Sequence, residues 1–353
     1  MKTCKLPVIL VPMTPFLLVF VLPVFLAAGL IWGGVWAWSP LLYAFGAIPL
    51  MELFWKPDPR NLGSEEEEEA LQNPWFNAAL RAVVPVQIAC LVAFLYVFGW
   101  HRPDALADRV GLVLGMGLCC GVLGINEAHE LGHRNETSDQ FRAWILLATS
   151  LYLHFFVEHN YGHHRNVATP EDPSTARPGE SLYRFLPRTL FQGAISAYRI
   201  GQQRAKGRWT HNLTLRFWAA QVLLVLLVAL IAGPDALLAF LGAAAFGAVL
   251  LETVNYIEHY GLERQKISDH RYEDTSAHHS WNSNHWVGRA MLFNLSRHSD
   301  HHAHPHRPYP VLRHLPDAPQ MPTGYPGMML LSLVPPLFFR VMRPRLAAVP
   351  SGR

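Results

Sequence analysis

Six stretches of this chain are each long and apolar enough to cross a lipid bilayer, and this limits the possible folds more than any other feature. A membrane-spanning helix takes roughly 20 mainly apolar residues. In hydrocarbon the backbone must bond within itself, so such segments fold as helices. The candidate spans are about 7–29, 32–54, 78–99, 108–126, 215–232 and 236–256. Short turns at Gly33-Gly34 and at Gly233-Pro234-Asp235 join the first pair and the last pair. The run Leu6–Ile31 follows Lys2 and Lys5 but is too long for the apolar region of a signal peptide, and a second apolar run follows at once. It reads as a retained helix. Segments 140–157 and 325–343 are weaker, and Pro335-Pro336 interrupts the second, so both read as interfacial or packed helices. Only 16% of the residues are charged, against about a quarter in soluble proteins. The expectation is an all-α integral membrane protein of six transmembrane helices, forming one catalytic domain over 1–353.

Charge sets the expected orientation. With a cytoplasmic N-terminus, the outer loops 30–32, 100–107 and 233–235 hold one basic residue, Arg102. The basic loop 177–216 then lies inside, as the positive-inside rule requires. Segments 127–214 and 257–353 form a cytoplasmic cap under this reading. A net charge of +3 without a basic, aromatic-studded stripe excludes a nucleic-acid partner. Cys4, Cys90, Cys119 and Cys120 form no C-x-x-C pair, which excludes a zinc ribbon. The run Glu65–Glu69 reads as a solvated acidic loop.

Histidine is the anomaly. Of 19, six fall between His129 and His164 and ten between His259 and His306, all in the expected cap. His129 and His133 are four apart and share a helix face, in the pattern H-E-x-x-H. His159 and His163 also share a face, with His164 about 100° round the helix. His298, His301 and His302 have i, i+3, i+4 spacing, and His259 stands just past the sixth span. Nine imidazoles exceed one metal site, since zinc takes about four ligands. They suit two metals with open positions. Imidazole accepts zinc, copper, iron and nickel, and a reactive two-metal site in a membrane favours iron with oxygen. A carboxylate adjoins each cluster: Glu130, Glu158, Glu258 and Asp300. These are candidates for orienting the ligating imidazoles. His154, His270, His304, His306 and His314 lack such spacing and read as ordinary surface or packing residues, while His278, His279 and His285 are intermediate.

Three other classes compete. A fatty-acyl desaturase or hydroxylase would use the same two irons. A zinc intramembrane protease built on His129-Glu130-x-x-His133 would leave seven histidines idle and would need a distant Leu-Asp-Gly segment, which the sequence lacks. A metal transporter would need ionisable groups within the spans.

The motifs together carry a resemblance. His129-Glu-Leu-Gly-His-Arg134, Glu158-His-Asn-Tyr-Gly-His-His164, Arg297-His-Ser-Asp-His-His302 and above all Asn255-Tyr-Ile-Glu-His-Tyr-Gly-Leu262 resemble the membrane-bound alkane 1-monooxygenases. These are non-haem di-iron alkane hydroxylases of the membrane fatty-acid desaturase and hydroxylase superfamily. Ala168–Thr175, His279–His285 and Pro322–Gly327 match as well, so the resemblance runs over about 40–345. It implies six spans in a bacterial inner membrane with both termini cytoplasmic. It implies hydroxylation of the terminal methyl of medium- to long-chain n-alkanes with O₂. The two electrons would come from a separate rubredoxin and its reductase, because this chain carries no fused rubredoxin. The iron ligands it implies are His129, His133, His159, His163, His164, His259, His298, His301 and His302.

An alkane offers only apolar surface, worth about 0.8 kcal/mol per CH₂ on burial, and its end is reached by positioning. A narrow channel from spans one, two, three and six is therefore expected, with Phe45, Leu53, Phe54, Leu91 and Phe94 as candidates. Arg199, Arg204, Lys206 and Arg208 are candidates for docking an acidic electron donor, or for contact with anionic lipid.

Overall fold

The computed structural model describes residues 11–350 apart from residue 270. Cys4, His270 and the start of the first expected span, 7–10, lie outside the described residues. Among the described residues, five helices are long and apolar enough to cross a membrane: Thr14–Trp32, Gly34–Phe54, Pro74–Trp100, Leu106–Gly132 and Leu213–His259. The fifth has 47 residues, which at 1.5 Å per residue is about 70 Å of helix and far more than one bilayer crossing. It is broken at Gly233, where φ is 82°. Only glycine adopts that conformation at little cost. The two stretches expected as separate spans are thus the halves of one interrupted element.

Exposed tryptophans sit at both ends of this bundle. Trp32, Trp36 and Trp100 mark one end, near the Arg102–Asp235 ion pair. Trp55, Trp75 and Trp286 mark the other. Tryptophan favours the two membrane–water interfaces.

The second and fourth long helices contain wider turns with i→i+5 bonding, at Leu42–Ala47 and Cys120–Asn126. A third such turn covers His159–His163. Wide turns of this kind recur at functional sites because they rotate the residues that follow.

Close backbone approach holds the fourth helix against the second half of the fifth. A Cβ on Gly247 would lie 2.7 Å from the Cβ of Cys120 and 3.1 Å from the Gly117 carbonyl oxygen. Small residues at such crossings are the usual basis of helix packing in lipid.

The cap consists of one long helix, Leu182–Arg204, with short helices and long loops. Thr137–Thr149 and Tyr325–Ser332 are too short to span, and the chain breaks before Pro335–Ala348, as expected for 140–157 and 325–343. The acidic run differs from expectation. Glu65–Glu69 lies in a helix, Ser64–Gln72, rather than in a loop. Glu65, Glu66 and Glu67 fall in the first turn, where negative charge meets the positive end of the helix dipole. Glu66 accepts from the Gly63 N–H at 2.7 Å, and Glu67 pairs with Arg313.

Gly247→Leu should force these two helices apart and cost about 1–3 kcal/mol, the usual range for overpacking. A lower thermal midpoint in detergent would register it, and an unchanged midpoint would contradict the packing described.

Candidate metal centre

The clustered histidines are held by four separate segments. His129 and His133 lie at the end of the fourth long helix, just after its wide turn. His159, His163 and His164 come from the short helical stretch 155–166. His259 ends the fifth long helix, and His298, His301 and His302 lie on the short helix His298–Ala303.

These nine side chains form two groups. One ligand atom each from His129, His133, His159, His164 and His301 lie within 4.8 Å of one another. The same holds for His163, His259, His298 and His302. Within the first group, Nε2–Nε2 distances are 2.9 Å for His129–His301, 3.1 Å for His133–His159 and 3.0 Å for His159–His164. In the second they are 3.2 Å for His259–His298 and 3.0 Å for His298–His302. Two nitrogens at right angles on one metal, each about 2.1 Å from it, are about 3.0 Å apart. The edges of both groups therefore match a coordination sphere. The buried Nε2 of His163 has no hydrogen-bonding partner in the protein, as a nitrogen reserved for a metal would.

Helix spacing left the division of the histidines between two metals open. On a regular helix residues 159 and 163 share a face, with His164 about 100° round it. Instead His159 and His164 share a group, and His163 turns to the other. The wide turn is the reason, since i→i+5 bonding brings residues five apart into line. On the last helix, His298 and His302 serve one group and His301 the other.

The site is enclosed, and burial favours the neutral form of most of its imidazoles. Burial holds His159, His164, His298, His301 and His302 well below the ordinary imidazole value, and pushes His133 down to about 3. Neutral imidazole is the form that binds metal. His163 differs. Burial pulls it down, but the Asp172 carboxylate outweighs burial and carries it up to about 9. His163 Nδ1 donates to Asp172 Oδ2 at 2.9 Å. Asp172 is itself held by the Thr175 hydroxyl at 2.6 Å and by the Ser174 N–H at 3.0 Å. This is a carboxylate–histidine arrangement that fixes the tautomer and leaves Nε2 facing the group.

The four carboxylates expected in that role are placed differently. Glu130 accepts from Arg134 and from the backbone N–H of Tyr309. Asp300 pairs with Arg307 and His304 and accepts from the Arg313 N–H. Neither bonds to any of the nine imidazoles. Glu158 lies buried beside Ser196, 3.5 Å from its hydroxyl, and burial carries it up to about 8. Glu258 does meet the site, but its Oε2 is 3.2 Å from Nε2 of His298, the atom that faces the group, and not from Nδ1. The Tyr325 hydroxyl donates to Glu258 Oε1 at 2.7 Å and holds it there. Sequence adjacency failed as a guide because residues next to a ligand on a helix point away from its partners. Asp172 was missed, although it lies in the matching stretch Ala168–Thr175; its signal was an acidic residue between prolines in a segment rich in hydroxyls.

Among the other histidines, His279 supports the centre by its backbone, accepting from His259 Nδ1 at 3.4 Å. His285 bonds Ser283, His306 the carbonyl of His133, and His314 the Asn284 amide. His154 packs against Tyr152.

A narrow cavity of about 90 Å³ runs from the helices to the centre. Leu22, Ala44, Phe45, Leu118 and Leu251 line its apolar length, while His129, His159, His298 and Glu258 line its end. It thus touches both groups. Of the expected channel residues, Phe45 lines it. Leu53 and Phe54 are 75% and 79% exposed at the end of their helix, so they face outward. Leu91 and Phe94 are buried in helix packing, Phe94 against Phe98. The fourth helix takes the place expected of the third, because its wide turn presents Gly121 and Val122 to the cavity.

The comparisons agree with this geometry. A family model described as fatty acid desaturase matches residues 106–331. The chain is 40% identical over 329 residues to the alkane 1-monooxygenase of Ectopseudomonas oleovorans, covering 90% of this chain and 80% of that one. It is 42% identical over 326 residues to alkane 1-monooxygenase 1 of Pseudomonas aeruginosa, covering 90% and 85%. The chain belongs to the alkane 1-monooxygenases. A more distant relative is the xylene/toluene monooxygenase hydroxylase component of Pseudomonas putida, 26% identical over 347 residues, covering 93% and 88%. A match over 90% of the chain necessarily spans both histidine groups.

Replacing Asp172 with Asn or Ala should weaken metal binding by about 10–100-fold, as loss of such a partner typically does. Metal analysis after dialysis should then find one equivalent retained where the native protein keeps two. In the metal-free protein, His163 holds its proton up to about pH 9, so a metal must displace that proton below this pH. Affinity at the four-imidazole group should rise as pH rises to about 9 and then level off, which a metal titration across pH would check. In Asp172→Asn, His163 loses the carboxylate and the rise should shift to lower pH.

Proposed function

We propose that this chain is an alkane hydroxylase that inserts one oxygen atom of O₂ into the terminal C–H bond of a medium- to long-chain n-alkane. The reaction takes two electrons and two protons and gives the primary alcohol and water. The observation that carries this reading is the cavity, apolar along its length and ending at imidazoles from both groups. No Lys or Arg lines it. A fatty-acyl substrate needs a partner for its polar head, whereas an alkane needs none. Leu118 and His129 are eleven residues apart on one helix, about 16 Å along its axis, so the cavity suits an extended chain presented end-on.

We assign two irons to the nine histidines, five imidazoles to one and four to the other. Bound there, they would supply the activation of dioxygen. The protein supplies the remainder. Leu22, Ala44, Phe45 and Leu118 hold the hydrocarbon, burial excludes water, and Asp172 keeps His163 in the tautomer that offers Nε2. Glu258, steadied by Tyr325, is available as a further oxygen ligand at the four-imidazole group. Glu130 counts against a zinc protease. Such an enzyme would need this carboxylate as a base beside metal-bound water, and here it serves Arg134 and Tyr309.

With Gly233 dividing the fifth helix, the bundle makes six crossings. The charge distribution favours cytoplasmic termini and a cytoplasmic centre, in the inner membrane of a bacterium. The electron donor is a separate rubredoxin with its reductase. Of the basic candidates, Arg204 stacks on Tyr161, 3.7 Å from the ring centre and beside the ligand stretch, which favours it as part of the entry surface.

The test is conversion of octane to 1-octanol by the purified protein with rubredoxin, its reductase and O₂, alongside a metal count. Two irons per chain and a primary alcohol are expected. One zinc per chain, or no alkanol from any chain length, would overturn the reading. Leu118→Phe should shorten the cavity and lower turnover of long alkanes more than of short ones, as a product ratio from mixed alkanes would register.

A further inference from the structure

A second cavity, of about 480 Å³, lies at the histidine end of the bundle but apart from the metal centre. It falls within the range of about 300–1,000 Å³ usual for ligand sites. Its walls come from the start of the first long helix (Pro15, Phe16), from Arg60 and Asn61, and from Arg289 and Arg297. Trp286 stands at its rim, edge-on to the exposed Trp55 at 6.1 Å.

The charges in this cavity are unbalanced. Two of its lining residues, Asp58 and Glu66, are acidic against three arginines, Arg60, Arg289 and Arg297, which leaves a surplus of positive charge. Asp58 forms a two-bond pair with Arg60, at 2.9 and 2.8 Å, and Glu66 Oε2 accepts from the Gly63 N–H at 2.7 Å. Arg289 and Arg297 have only neutral acceptors. Arg289 donates to the Asp58 carbonyl at 2.7 Å. Arg297 donates to the carbonyls of Leu312 and Arg60, each at 2.6 Å, and to Asn61 Oδ1 at 3.3 Å. Arg297 is only 4% exposed, and its Nε has no partner. Among the described residues no carboxylate forms a direct ion pair with either guanidinium, although Asp58 attracts both and Asp300 attracts Arg297 at longer range, and residues 1–10 contain no Asp or Glu. Burying a charge without a counter-charge is costly. A guanidinium, moreover, is the side chain best matched to the paired oxygens of a phosphate.

We propose that this cavity binds a phosphate group through Arg289 and Arg297, and that the phosphate belongs to an anionic lipid headgroup. The place of the cavity supports the lipid over free phosphate. It opens beside the first apolar helix and beneath a tryptophan pair of the kind that sits at headgroup depth. Arg297 directly precedes His298, so the occupied site would brace the helix that carries three of the nine imidazoles.

The test uses the full-length, metal-loaded protein in nanodiscs. Native and Arg289→Gln proteins are compared in phosphatidylcholine alone and with one-third phosphatidylglycerol, by thermal midpoint and by native mass spectrometry of retained lipid. Inorganic phosphate is titrated into the phosphatidylcholine samples. Phosphatidylglycerol should stabilise the native protein and be retained by it, and Arg289→Gln should weaken that retention about tenfold, the equivalent of one charge-assisted hydrogen bond. Arg289→Lys should recover part of the loss. Should Arg289→Gln not fold, Arg60→Gln serves instead, because it leaves Asp58 uncompensated at the cavity and should also weaken retention. Equal protection by inorganic phosphate would keep the phosphate site but overturn the lipid assignment. No effect of either probe, or an effect untouched by both substitutions, would overturn the proposal.

Discussion

Nine imidazoles facing inward from four separate segments are the constraint on which the rest of the molecule depends. Their Nε2 atoms approach to about 3 Å in buried surroundings, the spacing of nitrogens gathered round a shared cation. Cations at the two centres would draw these nitrogens together. A metal site also contributes to folding, because binding energy at a preformed site is stabilisation of the fold. The fourth and fifth long helices each end in ligands, so the metals would tie the membrane bundle to the cap.

The wide turns make that convergence possible. At Cys120–Asn126 the turn rotates His129 and His133 toward the centre and opens the cavity at Gly121 and Val122. At His159–His163 the turn sends neighbouring histidines to different groups. Site and cavity therefore depend on two local distortions, one in the fourth helix and one in the stretch 155–166. The close contact of Gly247 with Cys120 keeps the fifth helix against the distortion in the fourth. Around the metals, support comes from loops: Asp172 fixes His163, the His279 carbonyl meets His259, and Tyr325 steadies Glu258.

The sequence by itself determined the membrane class, the long apolar stretches with a turn at Gly233-Pro234-Asp235, and the nine clustered histidines. It could do so because each of these is a local property. A bilayer reads twenty apolar residues as a helix whatever surrounds them, and i, i+4 spacing puts imidazoles on one face in any helix. The tertiary structure alone decided the division into five and four, the choice of Asp172 over Glu130 and Asp300, and the wall that the fourth helix gives to the cavity. Each of those turns on a wide turn or on a contact between residues far apart in the chain. Helical periodicity assumes a regular turn and reports nothing about what lies across from a side chain, so such features had no signature in local spacing.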